Sequence, residues 1–300
     1  MSKYVIIDDA QGLGRLCNRL GIYAHFIAFG LSTGRKVLNL SFHPYSRHFK
    51  SLTQGLVTTE QANGLRIPAN RVTRGFSRGV LCTLEKVGVA SSIEGHLGPG
   101  ELRPDDEINI DEEAFILAHQ SNRIIRFCGW RFRAFQHLSQ HASSIRHILA
   151  FNDQISAEAS KLIKAHRNKP LLAVHIRHGD YTLHLGGQYY FPAGEYLRAA
   201  DDIIKKFGDH KLLVFSDDEI DDTTFAGRDA TVIRRNDVIE LAVMSGCDRI
   251  VGPPSSFNQW ASFLGAVPLH SMNTNSRAQV ADSYRTAWPL DFGQRPLFAS

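Results

Sequence analysis

The sequence predicts an α/β fold made of two doubly wound units that face each other. The chain opens with a strand, a glycine-containing turn, a helix and a second strand, which is the order that builds parallel sheets. After residue 151 strands and helices alternate regularly again. With 300 residues, 43% of them hydrophobic, the chain has enough apolar side chains for one large core or two medium ones. We therefore predict two domains, residues 1–150 and 151–300.

In the first domain, a β-branched run is followed by apolar residues at helical spacing and then by a second apolar run. The predicted strands are residues 5–7, 37–40 and 123–128. The predicted helices are residues 16–34, ending at Gly34, and 139–150. Residues 41–110 lack a clear period and 91–106 have the composition of a loop, so we expect a long functional surface loop there.

In the second domain, continuous apolar runs indicate buried parallel strands and apolar stripes indicate amphipathic helices. The predicted strands are residues 171–176, 212–215, 249–251 and 267–269. The predicted helices are residues 156–166, capped by Ser156, then 196–207, 238–245 and 257–264.

Composition excludes several classes of protein. The formal net charge of +4 is too small and too dispersed to predict a nucleic-acid binder. No apolar stretch approaches the roughly 18 residues of a membrane span, and the N-terminus has no signal-peptide pattern. The four cysteines are widely spaced, which favours buried thiols in a reducing compartment: Cys17, Cys82, Cys128 and Cys247. We expect a cytoplasmic protein.

No metal site is expected, because the sequence contains neither Asp-x-Asp nor His-Glu-x-x-His. An anionic small ligand is compatible with the mild positive charge. In open parallel sheets such ligands bind beyond the carboxyl ends of the strands, so polar residues just after each strand are the candidates.

The predicted strand 171–176 is followed by Arg177 and Asp180. A guanidinium suits two-point binding of phosphate, and Asp180 would orient it or cap the turn. The alternative for Arg177 is a surface salt bridge. The next strand is followed by Asp217 and Asp218, whose carboxylates would accept hydrogen bonds from a base or a ribose, or would simply cap a helix.

Ser255 and Ser256 precede the last predicted helix and offer hydroxyls beside free backbone amides. A helix N-terminus of this kind binds phosphate, and an ordinary N-cap is the alternative for Ser255. The first loop is not a dinucleotide fingerprint, because Cys17 stands in the place of its third glycine. Asn18 lies inside a helical stripe, where asparagine indicates a specific hydrogen bond.

Taken in order, these segments resemble the alpha-1,2-fucosyltransferases, an inverting family that uses GDP-fucose. The resemblance rests on GRLCNRLGIYAHFIAFGLSTGRKV (14–37), VHIRHGDY (174–181), FSDD (215–218), SSFNQWASFLG (255–265) and, more loosely, GWRFRAF (129–135). It departs from the family at Cys17, Arg19 and His178, where the family has glycine, glutamine and a second arginine. The side chain of Cys17 occupies a turn in which the family's glycine lets the backbone approach the donor.

The resemblance implies a GT-B-like fold, with two Rossmann-like domains facing across a cleft and the donor held mainly by the C-terminal one. It implies metal-free transfer of L-fucose to a glycan hydroxyl with inversion. Arg177 would clamp the diphosphate, while Asn18 would reach the donor from the opposite domain. The implied donor-binding residues are Gly14, Arg15, His175, Arg177, Asp217, Asp218, Ser255, Ser256 and Phe257. The implied catalytic residues are Asn18, Arg177 and Asp180.

No general base is assigned, although Asp9 and Asp180 are candidates. The expected partners are GDP-fucose and a glycan acceptor, and a lipid-linked acceptor would bring the protein to a membrane surface. Two alternatives stay open. Another nucleotide-sugar would fit, because phosphate clamps do not read the sugar. A non-catalytic nucleotide-binding or interaction protein would use the arginines that lie between aromatic residues at positions 123, 126, 131 and 133.

Overall fold

The computed structural model describes residues 3–8, 14–42, 44–52, 56–57, 71–95, 107–272 and 287–291. They form two compact units, the first reaching Asn152 and the second beginning at Asp153. Each unit contains a five-stranded, mainly parallel sheet. No helix in the described ranges is long and apolar enough to cross a membrane.

The first unit contains seven strands and five helices within its described residues. The strands are β1 (Tyr4–Ile7), β2 (Lys36–Asn39), β3 (Leu56–Val57), β4 (Ala90–Gly95), β5 (Ile108–Asn109), β6 (Ile124–Gly129) and β7 (Phe132–Arg133). The helices are α1 (Leu16–Thr33), α2 (Arg71–Lys86), α3 (Glu113–Ala118), α4 (Phe135–Gln140) and α5 (Ala142–Ile148). The main sheet has the order β3-β2-β1-β6-β4, and β5 pairs separately with β7. Only β3 runs antiparallel to its neighbour.

Helix α1 is the buried centre of this unit. Thirteen of its 18 residues are buried, as expected for a helix that is apolar on most of its surface. Gly34 ends it in a left-handed conformation with φ of 67°, which glycine adopts without steric cost. The predicted helix and its end are confirmed.

The loop predicted at 91–106 is wrong at its start, because β4 extends to Gly95. Helix α2 also lies within residues 41–110, where no periodic element was predicted. Strand β4 pairs with β6 along its whole length, from Ala90 opposite Ile124 to Gly95 opposite Gly129. It is an edge strand of small and polar residues that alternate in burial, so it lacks the apolar run of a central strand. Helix α2 contains two glycines, which lower helix propensity. Residues 96–106 lie outside the described residues.

Three other predictions for the first unit need correction. The helix predicted at 139–150 is two helices, α4 and α5, that meet at His141. Arg133, one of the arginines that a basic interaction surface would use, is fully buried, with its Nε 2.9 Å from Oε1 of Glu107. Cys82 is exposed, whereas Cys128 and Cys247 are buried as expected.

The second unit has five strands and four helices within its described residues. The strands are β8 (Leu171–Ile176), β9 (Lys211–Ser216), β10 (Ala230–Val232), β11 (Arg249–Gly252) and β12 (Leu269–Ser271). The helices are α6 (Asp153–His166), α7 (Ala193–Phe207), α8 (Asp237–Met244) and α9 (Ser256–Gly265). All strands are parallel, in the order β10-β9-β8-β11-β12. The chain thus adds strands on one side of β8 and then on the other.

The central strand β8 is buried at every position, which explains its continuous apolar run. Its bounds agree with the prediction, whereas the short strand β10 was not predicted. Helix α6 starts at Asp153, so Ser156 lies inside the helix and is not its cap. Helix α9 continues through Gly265, and Ala266 takes the left-handed conformation that follows it. The final strand, predicted at 267–269, is β12 and begins only at Leu269.

Candidate active site

The candidate site lies at the carboxyl ends of β8 and β11, where the strand order reverses. Ligands of doubly wound sheets bind at such a switch point. The two strands approach closely here, since a Cβ atom on Gly252 would lie 2.7 Å from the backbone oxygen of His175. The loops that follow them are joined as well, because the Tyr181 hydroxyl donates a hydrogen bond to the Pro254 carbonyl at 2.8 Å.

Arg177 follows β8 and is held by two carboxylates. Its Nη2 lies 2.8 Å from Oδ1 of Asp180, and its Nη1 lies 3.3 Å from Oδ2 of Asp217. The guanidinium carbon also lies 5.3 Å from the centre of the Tyr181 ring. The backbone N–H of Arg177 donates to the Tyr196 hydroxyl at 3.2 Å. The salt bridge considered as an alternative is therefore present, and it fixes the orientation of the Arg177 guanidinium at the switch point.

The two carboxylates that pair with Arg177 differ in environment. Asp180 is 66% exposed, whereas Asp217 is 18% exposed and also accepts a hydrogen bond from the His178 backbone at 2.9 Å. Exposed ion pairs contribute little to stability, so the contact with Asp180 is the easier of the two to exchange for a ligand anion. Gly179 is needed beside Asp217, since a Cβ there would lie 2.6 Å from its Oδ2.

Asp218, the other predicted carboxylate of this segment, makes its hydrogen bonds within the local turn that follows β9. Its Oδ1 accepts a hydrogen bond from the Glu219 backbone at 2.8 Å, and its own N–H donates to the Ser216 hydroxyl. Among the described residues it forms no ion pair or hydrogen bond with Arg177. The structure therefore brings Asp217, and not Asp218, to the arginine.

His175 is buried near the end of β8 and stacks on Phe257, with ring centres 5.1 Å apart. Burial lowers the pKa of His175 to about 4, and the charge of Arg177 acts in the same direction. The imidazole is therefore neutral at pH 7. A side-chain hydrogen bond with Asn258 acts against this lowering, so the imidazole is held within the protein itself.

Helix α9 begins at the same end of the sheet. Ser255 is its N-cap and accepts a hydrogen bond from the Asn258 backbone at 3.2 Å. The ordinary N-cap that was the alternative to phosphate binding is therefore present. Ser256 and Phe257 occupy the first turn and are half-buried. The first amides of such a helix, together with its dipole, favour a negative charge.

Two residues here were missed by the sequence analysis. The hydroxyl of Tyr196 supports Arg177, but its position in an apolar stripe marked it only as core. Asn258 is fully buried, its amide donates to the Pro253 carbonyl, and its side chain also forms a hydrogen bond with His175. The signal that marked Asn18, an asparagine inside an apolar helix, would have found it.

His178 stands where the resembled family has a second arginine, and its ring serves the loop. The Nε2 atom lies 2.9 Å from the Phe191 carbonyl, and the ring packs against Tyr190 at 4.9 Å. Arg177 is accordingly the cation that faces the two carboxylates.

The remaining predicted residues belong to the first unit. Gly14 has φ of 63°, and a Cβ there would lie 2.5 Å from the amide nitrogen of Asn18, which is half-buried in the first turn of α1. Arg15 is the exposed N-cap and makes no capping hydrogen bond through its side chain. Arg19 donates to the carbonyls of Gly14 at 2.9 Å and Ser41 at 2.7 Å, so it holds this turn in place. Cys17 is buried, and Asp9 lies outside the described residues.

This arrangement suits binding of a phosphate ester. It offers one oriented guanidinium, the amides of a helix N-terminus, and a buried neutral imidazole. Among the described residues, no group of three or more His, Cys, Asp or Glu side chains is placed to hold a metal ion.

The fold is GT-B-like, with two Rossmann-like units, as comparison with solved structures shows. POFUT1 in complex with GDP is 14% identical, with a TM-score of 0.55 over 88% of this chain and 94% of that one. A variant of Arabidopsis thaliana FUT1 in complex with GDP is 12% identical, with a TM-score of 0.56 over 95% of this chain and 74% of that one. NodZ, an alpha-1,6-fucosyltransferase soaked with GDP-fucose, is 14% identical, with a TM-score of 0.50 over 91% and 96%. No protein-family model matches the chain, and no curated protein matches it in sequence.

Proposed function

We propose that the protein is a fucosyltransferase that moves L-fucose from GDP-fucose to a glycan hydroxyl. The proposal includes inversion at the transferred carbon, an α-1,2 linkage and no requirement for a metal. The observation that carries it is the guanidinium of Arg177, oriented at the switch point of a fold whose solved neighbours were crystallised with GDP or GDP-fucose. The linkage and the inversion rest on the sequence resemblance alone.

The chemistry follows from charge. When the bond between fucose and GDP breaks, negative charge grows on the departing diphosphate. Donors that are already oriented toward that charge lower the barrier most, because they need no rearrangement during the reaction. Arg177 is oriented by Asp217, and we propose that the diphosphate replaces the exposed contact with Asp180. Ser255, Ser256 and the first amides of α9 would bind the phosphate oxygens.

We propose that the nucleoside contacts the buried side of the same site. His175 and Asp217 would meet the guanine and the ribose, with Phe257 supporting the imidazole. Asn18, with Gly14 and Arg15, would be the contribution of the first unit to the donor. The general base stays unassigned, and Asp180, which a bound diphosphate would release from Arg177, is one candidate.

The alternative of an interaction protein with a basic patch is less well supported. Of the arginines that motivated it, Arg126 pairs with the buried Asp8 at 2.9 Å and Arg133 pairs with Glu107. A patch whose cations already have internal partners attracts phosphate backbones weakly. We further propose a cytoplasmic protein that meets a lipid-linked acceptor at a membrane surface.

The test is incubation of the protein and EDTA with GDP-fucose, GDP-mannose and UDP-sugars, each with a panel of free and lipid-linked glycan acceptors. Mass spectrometry detects the product, and NMR assigns its linkage and anomeric configuration. We expect a fucosylated acceptor with GDP-fucose and no product with GDP-mannose or the UDP-sugars. A product from a different sugar would establish the alternative donor, whereas tight GDP binding without any product would establish a non-catalytic nucleotide-binding protein.

A further inference from the structure

A cavity of about 180 Å³ lies in the first unit, away from the carboxyl ends of its strands. Two of its lining residues, Lys3 and Arg35, immediately precede β1 and β2, so the cavity is at the amino ends of these parallel strands. Its other polar walls are Ser32, Thr33, Gln120 and His137. No part of the proposed transfer reaction uses this end of the sheet.

Arg35 is a buried cation with no buried counter-ion among the described residues. Arg35 is 4% exposed, and its guanidinium donates to two backbone carbonyls, those of Asn122 at 2.9 Å and His119 at 2.8 Å. Lys3 is exposed, and its ammonium donates to the carbonyl of Gln120 at 2.5 Å. Neither cation has a carboxylate partner among the described residues. Removing the charge of Arg35 from water is costly unless an opposite charge accompanies it.

The surroundings of the cavity are positive as well. The charge of Arg35 adds to burial in lowering the pKa of His119. Asp111, an acidic residue beside the cavity wall, lies 3.4 Å from His137 and also accepts the Gln136 backbone N–H at 2.7 Å. It is therefore committed to His137 and to the start of α4.

A simpler role for Lys3 and Arg35 is to satisfy the carbonyls that follow α3. That role uses part of their capacity, because an ammonium has three N–H donors and a guanidinium has five. Helix α3 has only six residues, so its dipole supplies little of the missing negative charge. Both cations also line an open volume, which carbonyl capping does not require.

We propose that this cavity binds a small oxyanion, either a phosphate or a carboxylate. The volume is below the range of about 300–1,000 Å³ typical of pockets for larger ligands, so a single ion or a metabolite of few atoms fits. The anion accepts from Lys3 and Arg35, with Ser32 and Gln120 as further partners.

The test measures phosphate binding by thermal unfolding and by calorimetry in the Arg177→Ala variant, which removes the proposed clamp of the second unit. Inorganic phosphate at constant ionic strength is the main probe, and acetate is the second. We expect a saturable rise in Tm with one of them. Adding Lys3→Met, which keeps most of the aliphatic stem, weakens that binding about tenfold or more. Adding Lys161→Met, at an exposed position in α6, leaves it unchanged.

An equal rise in both double variants would overturn the proposal, because excluded salts stabilise any folded protein without a site. Absence of a saturable rise with either anion would overturn it too. Arg35→Gln is a second probe, and its loss of binding is interpretable only if the variant melts cooperatively. None of these measurements depends on fucosyl transfer, so the two proposals fail separately.

Discussion

Arg177 and Asp217 form an ion pair between the ends of two adjacent strands, with Nη1 of the arginine 3.3 Å from Oδ2 of the aspartate. Arg177 follows β8 and Asp217 follows β9, which lie side by side in the sheet. The second oxygen of Asp217 accepts the His178 N–H at 2.9 Å. The carboxylate is thus fixed by backbone, and it fixes the guanidinium in turn.

Gly179→Ala should disturb this pair without unfolding the protein. The new Cβ would lie 2.6 Å from Oδ2 of Asp217, so the carboxylate must move away from Arg177. We expect GDP to bind roughly tenfold more weakly, the effect of losing about one charge-assisted hydrogen bond. Isothermal titration calorimetry measures the affinity, and circular dichroism checks the fold.

The matched control is Gly194→Ala in the first turn of α7, where an added Cβ meets nothing within 4 Å. Alanine is favoured over glycine in a helix, so this variant should keep its affinity for GDP and melt at the same or a higher temperature. If both alanine variants bind GDP like the unmodified protein, the Arg177–Asp217 pair does not organise the nucleotide site.

GDP should stabilise the protein in the absence of metal. A ligand that binds only the folded state adds RT ln(1 + [L]/Kd), or about 2.7 kcal/mol at a hundredfold excess over Kd. For a unit of this size we expect Tm to rise by roughly 5 to 10 °C. Differential scanning fluorimetry with and without EDTA measures the shift. Loss of the shift in EDTA would show that a metal ion takes part.

Ile27→Asp should unfold the first unit. Ile27 is fully buried in α1, and an uncompensated carboxylate there costs several kcal/mol against a typical total stability of about 5 to 15 kcal/mol. Leu117→Asp is the control, because Leu117 is exposed on α3 and its replacement should change stability by about 0.5 kcal/mol or less. A folded Ile27→Asp variant with unchanged Tm would contradict the buried position of α1.

The pH dependence of stability should contain a contribution from Glu240 in α8. Burial raises the pKa of Glu240 to about 7, although its Oε1 accepts the Arg235 N–H at 2.8 Å. Between the ordinary value near 4.5 and about 7, the folded state holds more protons than the unfolded state. Stability therefore falls as pH rises through that window.

Glu240→Gln retains an oxygen that accepts the Arg235 N–H but removes the titration. We expect the variant to be more stable than the unmodified protein above pH 7, by about 1 kcal/mol since solvent reaches part of the side chain, and to lose that advantage toward pH 4.5. Urea unfolding across this range measures the difference. Parallel pH profiles would show that Glu240 is not shifted.

Among the strands, the sequence predicted those with a continuous buried apolar run and missed polar or half-buried ones such as β4 and β10. Strand β8 is buried at all six positions, so apolar residues mark both of its ends. Strand β10 is half-buried throughout and β4 is a polar edge strand, and neither has a run that distinguishes it from a loop. Helix α1 was predictable because its apolar residues repeat up to a glycine that ends it.

For the site, the sequence identified the positions after each strand but not their contacts. Both Asp217 and Asp218 follow β9, and only the direction of each side chain decides that Asp217 meets Arg177. The direction of the Asp217 side chain depends on Gly179, which leaves room for it, and on the hydrogen bond from the His178 N–H. His178 lies 39 residues from Asp217 in the sequence. Such long-range contacts leave no periodic pattern in the sequence.

The most direct test of the account is the rate of fucosyl transfer by Arg177→Ala. The matched control is Arg228→Ala, because Arg228 pairs with Asp201 on the surface of the same unit. We expect kcat for Arg177→Ala to fall by roughly a hundred- to a thousandfold, as for loss of one oriented donor at a developing charge, with weaker GDP binding and an intact fold. Arg177→Lys should recover little, since an ammonium does not reproduce the fork. Arg228→Ala should keep nearly full activity. Transfer by Arg177→Ala at nearly the unmodified rate would contradict the central assignment.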